Sequence, residues 1–370
     1  YSDSGLLNRL RDIDEDGFSS EGRPLNYHGA AMDEYLPAIA SLMRSGLKLE
    51  YAQKNLLAAV KMPYLRASLA GQVPNTGDCG AGINVAGSRH ADFLAELFPD
   101  EAWLRDISAN GTLERKLELL KADAKPDPHS WRKLLETSPR LFREAGFAIL
   151  RSGDKPEEQV MLTLDYGLNV FHAALDRNAI TLTAFGQRYS QGTGSLYNAG
   201  SLKTPNTDKR LDSFCSHGSL GQNVILAGQR DQSPAMGRLL AWGGKPDFQV
   251  AASEVEGAYA GVKHTRLLAL SEGIAVMFDR VEGTAEQEYD FVYHNFGTLE
   301  LGQGLKFGQP AKLGQTANYD NIIDPMQIEL EGNPIHLLWT LPALPAKQPA
   351  KKGDAAPTPE SGPKLALWQL

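Results

Sequence analysis

The hydrophobic period of the sequence changes near Gly146, and this change limits the possible folds. Before this point, apolar residues recur at helical spacing, as in Leu36, Ile39 and Met43. After it, short apolar or alternating runs such as VMLTLD and AITLTAFG are bounded by Gly, Asp and Asn, which is typical of strands in a sandwich or barrel-like sheet. Because the strands follow the helices rather than alternate with them, the pattern favours two stacked domains over a βαβ fold.

The domain organisation follows from this change. We expect a helical domain at residues 1–145 and an antiparallel β domain at residues 146–370. A chain of 370 residues is too long for one ordinary core, which agrees with two domains. The Pro/Ala/Lys-rich stretch 345–363 is expected to be a linker-like loop, and the LALWQL that follows is expected to be one last strand.

Composition limits the class of function. A hydrophobic content of 42% and a charged content of 22% describe a globular chain, and no apolar run approaches the length of a membrane span. The net charge of −8 argues against nucleic-acid binding, but a few Arg and Lys can still line a cleft for an anionic ligand. The cysteines are Cys79 and Cys215, and without a CxxC they favour buried thiols over a zinc-thiolate site or a disulfide.

Three loops gather side chains that could carry chemistry. DEDGFSSEGRPLNYHGAAMDEY places Tyr27 and His28 at the start of a helix, and QVPNTGDCGAG places Asp78 after a turn. VFHAALDRNAITLTAFGQ places His172 and Asp176 four residues apart, on one face of a strand. Taken singly, each loop also fits a structural role, as an acidic helix cap, an Asx turn or a hydrogen-bonded pair.

Taken in order, these motifs resemble those of the heparinase II/III-like polysaccharide lyases and the alginate lyases related to them. DGxxxEG at 16–22, the tyrosine at 27, PxxGD at 74–78 and the HxxxD strand that begins at His172 follow the order of that family. RLFREAGFAILRSG, QNVILAGQRDQ and VMFDRVEG resemble strands of its β domain. The resemblance extends over nearly the whole chain.

The resemblance implies an α+β multidomain fold, in which an incomplete α/α toroid is followed by an antiparallel β-sandwich with the active cleft between them. It implies a polysaccharide lyase that acts by β-elimination: a base removes the C5 proton of a uronic acid, the C4–O bond breaks, and a 4,5-unsaturated sugar forms. The substrate carboxylate must be neutralised as charge develops, and acid and base must reach the leaving oxygen and C5. The expected partner is an anionic polysaccharide or oligosaccharide, such as alginate or a glycosaminoglycan, and the expected location is periplasmic or secreted.

The resemblance also implies roles for individual residues. Tyr27 is predicted to be the acid, or both acid and base, and His172 the base or the carboxylate neutraliser. Tyr197 is predicted to line the cleft as a third catalytic residue. The predicted substrate-binding residues are polar or charged and lie in or near these motifs: Glu21, Arg23, His28, Asp78, Asp176, Arg177 and Arg188.

The chain departs from the family in two respects. Where many members bind zinc, it has Ala174, Gly192 and Gln222, so no metal or other cofactor is expected, with zinc held by His217 and Asp176 as the alternative. The family's carboxylate-neutralising Asn or His lies well before the catalytic tyrosine, and here 26 residues precede position 27. We therefore expect either that the N-terminal part of the toroid is missing or that this is a divergent or split form.

Two other functions stay open. A non-catalytic glycan-binding relative would keep the fold and lose the acid and base. An α/α-toroid glycoside hydrolase would use two carboxylates, Glu21 and Asp78. The presence of Tyr27, His172 and Tyr197 together favours the lyase. The sequence leaves the uronate polymer, endo or exo action and the oligomeric state open.

Overall fold

The computed structural model describes most of the chain. The described residues are 6–19, 25–46, 50–77, 79, 84–85, 90–107, 127, 129–167, 172–193, 217–310, 313–314, 319–320, 322, 324–329, 335–341 and 364–369.

Helices come first. Within the described residues they are α1 (Leu6–Arg11), α2 (Leu25–Arg44), α3 (Glu50–Arg66), α4 (Ala91–Leu97) and α5 (Ala102–Ile107), followed by a 3-10 turn at Ser130–Leu134. The predicted apolar face of α2 is buried, because Leu36 and Ile39 belong to a core that includes Val60 of α3 and Trp103 of α5. Among the described helices, none is long and apolar enough to cross a bilayer.

Two of the described helices run through a proline, α2 at Pro37 and α3 at Pro63, and the second contradicts a prediction. The sequence predicts that a helix ends or kinks near Pro63, but α3 continues to Arg66. Proline lacks the N–H that would bond the carbonyl of Ala59, four residues earlier. His28 Nε2 lies 2.9 Å from that oxygen, so a side chain of α2 donates the missing hydrogen bond. This long-range contact allows the helix to continue.

The strands form antiparallel sheets. A five-stranded sheet has the order β1-β2-β3-β4-β5, and a four-stranded sheet has the order β10-β9-β8-β7. Smaller sheets pair β11 with β6, β13 with β14, and β15 with both β12 and β16. The bounds are β1 Arg140–Phe142, β2 Phe147–Ser152, β3 Val160–Asp165, β4 Ala179–Ala184, β5 Gln187–Ser190, β6 Ile225–Ala227, β7 Gly237–Lys245, β8 Phe248–Tyr259, β9 Val262–Ser271, β10 Ile274–Gly283, β11 Tyr289–Phe291, β12 Thr298–Leu301, β13 Lys306–Pro310, β14 Met326–Glu329, β15 Ile335–Thr340 and β16 Lys364–Gln369.

Both faces of the five-stranded sheet are buried. On one face, Leu162 and Leu164 share a core with Leu268 and Leu270 of β9, which makes the two large sheets a sandwich. On the other face, a second core joins β2 and β3 to Met62 of α3. Because the sheet lies between helices and a second sheet, its inner strands β3 and β4 are buried along their whole length, including their Thr and Asp residues. The predicted antiparallel β architecture is confirmed, whereas the α/α toroid and the boundary at residue 146 stay predictions. The linker-like stretch 345–363 lies outside the described residues.

Candidate active site

Two predicted catalytic residues meet where the helices adjoin the five-stranded sheet. Tyr27 lies in the first turn of α2, and His172 lies in the loop before β4. Their rings stack with centroids 3.5 Å apart and an interplanar angle of 10°. Both side chains are partly exposed. The arrangement therefore presents a phenol and an imidazole together at the surface.

The backbone at His172 is unusual. Its φ is 61°, in the left-handed region that non-glycine residues rarely adopt. Such strain is kept only where surrounding structure holds it, and it is common at functional sites. Gly77 supplies part of that structure, because a Cβ at this position would lie 2.2 Å from the carbonyl oxygen of His172. The glycine of the PNTGD motif thus allows the loop to approach the histidine closely.

A buried arginine holds the loop that carries Gly77. Arg66, the last residue of α3, is 1% exposed, and its Nη2 donates to Thr76 Oγ1 at 2.9 Å. Its guanidinium also lies over the rings of Phe18 and Phe147, with Cζ 5.2 and 5.0 Å from the ring centroids. Arg66 was not among the predicted site residues, and its available signal was that of a lone charge in the apolar stretch MPYLRASLAG.

Asn75 ties the same loop to the β domain. Its Nδ2 donates to the carbonyl oxygen of Gly192 at 3.0 Å, just after β5, and the residue is 5% exposed. Asn75 was also missed, because an amide in a Gly-, Asn- and Pro-rich turn carries little information by itself. The loop that positions His172 is therefore held by the helices through Arg66 and by the sheet through Asn75.

Arg188 provides a cation on β5. Its Nη2 donates to Asn84 Oδ1 at 3.0 Å, and its side chain is partly exposed. Burial lowers the pKa of Arg188, and the nearby Cys79 thiol opposes that shift. An arginine keeps its charge at ordinary pH, so Arg188 remains a positive group beside the loop of Gly77 and Cys79. Of the predicted substrate-binding arginines in the described residues, it is the one whose position suits an anionic ligand.

His28 links α2 to α3 by a buried hydrogen bond. It is 2% exposed, its Nε2 donates to Ala59, and burial lowers its pKa to about 4, so its ring is neutral at ordinary pH. It also lines a cavity of about 430 Å³ between α2 and α3, whose described lining includes Asp33 and neither Lys nor Arg. The lining is mostly apolar, and Asp33 is bonded to His90 Nε2 at 2.9 Å, so the described lining offers an anionic sugar no Lys or Arg. The predicted role of His28 in binding substrate therefore does not fit its position.

Asp176 and Arg177 belong to a buried ion-pair cluster. They are 2% and 1% exposed. Arg177 Nη1 lies 2.9 Å from Asp165 Oδ1, and Arg177 Nη2 bonds Asp176 Oδ1. Gln232 Oε1 accepts a hydrogen bond from the Arg177 backbone N–H at 2.7 Å. Because both charges are satisfied inside the protein, the predicted direct contact of Asp176 and Arg177 with substrate does not fit the structure. The other predicted residues, Glu21, Arg23, Asp78 and Tyr197, lie outside the described residues.

The residues at the positions of the family's zinc ligands do not fit a zinc ion. Ala174 has no ligating atom in its side chain, and a Cβ at Gly192 would lie 1.9 Å from Gln222 Oε1. The amide of Gln222, which is 3% exposed, therefore fills the space that a ligand at position 192 would need. For the alternative site with His217, Asp176 is already bound by Arg177. Within the described part of the chain, no three His, Cys, Asp or Glu side chains come together to hold a metal.

Comparisons with known proteins show the fold. No protein-family model matches the chain, and no curated protein matches it in sequence. Solved structures do match: one heparinase III has a TM-score of 0.62 at 15% identity, another has 0.60 at 19%, and heparan sulfate lyase from Pedobacter heparinus has 0.59 at 15%. Each match covers 91% of this chain and 47%, 49% and 47% of the other, respectively. The chain thus shares a heparinase-like lyase fold and spans about half the length of the structures it matches.

Proposed function

We propose that this chain is part of a polysaccharide lyase that cleaves a uronic-acid-containing glycan by β-elimination. The observation that carries the proposal is the stack of Tyr27 on His172, at ring centroids 3.5 Å apart. The fold neighbours heparinase III and heparan sulfate lyase support an anionic glycan as substrate. From the family resemblance, we also propose that the helices belong to an α/α toroid and that the protein works in the periplasm or outside the cell.

The proposed mechanism uses the two stacked rings as acid and base. C5 and C4 are neighbouring atoms of one sugar ring, so the groups that act on the C5 proton and the C4 oxygen must lie close together. Rings in van der Waals contact meet that requirement. Tyr27 protonates the leaving oxygen as the C4–O bond breaks. His172 takes the C5 proton or, where Tyr27 performs both transfers, donates a hydrogen bond to the carboxylate.

The developing negative charge needs a positive or hydrogen-bonding partner. Removal of the C5 proton pushes electrons onto the uronate carboxylate, and a nearby cation lowers the energy of that state. Arg188 is the described residue we assign to this end of the substrate, because it is a partly exposed cation beside the loop that holds His172. Glu21, Arg23, Asp78 and Tyr197 keep the roles that the family resemblance implies.

One assay separates this proposal from its alternatives. The full chain is incubated with alginate, hyaluronan, heparan sulfate and chondroitin, and ultraviolet absorbance of the unsaturated product is followed. We expect a rise on at least one polyuronate. New reducing ends without ultraviolet absorbance would overturn the proposal in favour of a hydrolase. Binding with neither signal would overturn it in favour of a glycan-binding protein.

A further inference from the structure

The edge strand β10 exposes a row of large apolar side chains. Ile274 is 67% exposed, Val276 50% and Phe278 60%, and all three lie on the outer face of the four-stranded sheet. The side chain of Asp279 points the other way, where its carboxylate pairs with His264 and Arg266. Along its other edge, β10 has no partner strand within the described part of the chain.

The first half of this edge, residues 274–278, lacks the features that usually prevent sheets from joining. Protected edges carry bulges, glycines, lysines or prolines. The opposite edge, β7, has a bulge between Leu239 and Ala241, two glycines at 243 and 244, and Lys245. In contrast, β10 pairs with β9 in unbroken register over ten residues and contains no proline. The second half of β10, residues 279–283, is charged and ends in a glycine, whereas its first five residues are apolar. The two edges therefore differ, and the first half of β10 is the part suited to pairing.

The hairpin that leads into β10 determines which backbone groups are available. Glu272 and Gly273 have φ of 44° and 82°, as in a two-residue type I′ turn closed by Ser271 and Ile274. The closing pair is hydrogen-bonded, so the even-numbered residues of β10 bond to β9. The odd-numbered residues, including Ala275 and Met277, direct their N–H and C=O groups to the open edge.

We propose that two copies of this chain pair edge to edge through antiparallel β10 strands, with the two-fold axis at Val276. In this register Ala275 of one copy exchanges hydrogen bonds with Met277 of the second copy, and Ile274 lies opposite Phe278. Glu272, in the turn, lies opposite Arg280, whose Nη2 also bonds Glu282 of its own strand at 2.9 Å. An acid and a base therefore meet at both ends of the contact. Pairing joins two four-stranded sheets into one eight-stranded sheet.

Charge selects this register over its nearest competitor. With the axis at Phe278, the odd-numbered residues would still bond to each other. However, Glu282 would lie opposite Ile274, and Arg280 opposite Val276. Each charge would then be placed against an apolar side chain, at a cost in desolvation. The register centred on Val276 pairs apolar with apolar and acid with base.

The test is the mass of the full chain in solution, by light scattering and sedimentation, between about 1 and about 100 µM. We expect a concentration-dependent dimer that Val276→Lys weakens at least about tenfold. Phe248→Lys is the matched control, since Phe248 is 52% exposed at the β7–β8 end of the same sheet, and it should leave the dimer unchanged. Circular dichroism confirms that each variant is folded.

A charge swap tests the register itself. Arg280→Glu and Glu272→Arg should each weaken the dimer, and the two together should restore it. A monomer at every concentration, or a dimer that Val276→Lys leaves intact, would overturn the proposal. Failure of the double variant to recover would overturn the register centred on Val276.

Discussion

At the scale of single residues, the candidate site depends on backbone conformation as much as on reactive side chains. Gly77 and His172 both have positive φ, of 63° and 61°, and their backbones approach closely. The residue types were available from the sequence as parts of two motifs. Their contact could not be predicted from the sequence, because it joins a loop after α3 to a loop before β4 that lies far from it along the chain.

Gly77→Ala should reduce activity by misplacing His172. The added Cβ would lie 2.2 Å from the carbonyl oxygen of His172, so one of the two loops must move. We expect the turnover rate to fall at least about tenfold, or about 1.4 kcal/mol in the barrier. Gly46→Ala is the control, since Gly46 has φ of 90° but an added Cβ meets nothing within 4 Å. Equal activity in the two variants would show that the contact with His172 does not matter.

His28 should make stability depend on pH. Burial lowers its pKa from 6.5 to about 4, so the unfolded chain binds a proton in this range and the folded chain does not. The contribution of His28 to the free energy of unfolding is therefore greatest above pH 6.5. It falls by about 2 to 3 kcal/mol as pH drops toward about 4. His28→Gln keeps a donor for Ala59 and removes the titration, so urea unfolding should show a shallower loss.

The difference between wild type and His28→Gln reports on His28 alone, because both proteins contain the same other titrating groups. Burial also lowers the pKa of His264 and His294, which act in the same direction. Burial raises the pKa of Asp14 to about 6, and this group acts in the opposite direction, losing stability as pH rises between 3.8 and about 6. Identical pH dependence in wild type and His28→Gln would contradict the assignment.

At the scale of elements, local patterns predicted the strands well and the end of one helix poorly. The runs VMLTLD, AITLTA and GIAVMF each became a strand, because period, β-branched content and flanking Gly are local signals. Pro63 is also a local signal, but the helix end that it predicts was wrong, because α3 continues to Arg66. A histidine from α2 satisfied the carbonyl that the proline left without a partner, and no local rule contains that contact.

Chelation should leave the sandwich unaffected. The side chain of Gln222 lies where a ligand at Gly192 would need space, so the loop is packed by an amide in place of a metal. We predict that a chelator changes neither the melting temperature nor activity, and that elemental analysis finds no stoichiometric zinc. A marked drop in melting temperature on chelation, reversed by added zinc, would contradict this prediction.

At the scale of the whole molecule, the site forms where helices and sandwich meet. Phe18 and Met62 pack directly on β2, so the junction that holds Tyr27 against His172 is itself part of a core. The family resemblance, which rests on the order of motifs along the chain, implies that these two residues work together. It could not distinguish Arg188, which lies near the loop of the site, from Arg177, which is buried against Asp165. That difference depends on burial, which residue type and spacing do not reveal.

The ultraviolet elimination assay on Tyr27→Phe tests the proposed role of Tyr27 as the catalytic acid. This change removes one oxygen and keeps the ring that stacks on His172. We predict that turnover falls at least about 100-fold, the range for loss of a general acid or base, while substrate binding is unchanged. Tyr35→Phe, on the same helix, should retain activity. Turnover by Tyr27→Phe within about tenfold of the wild type would contradict the central role of Tyr27.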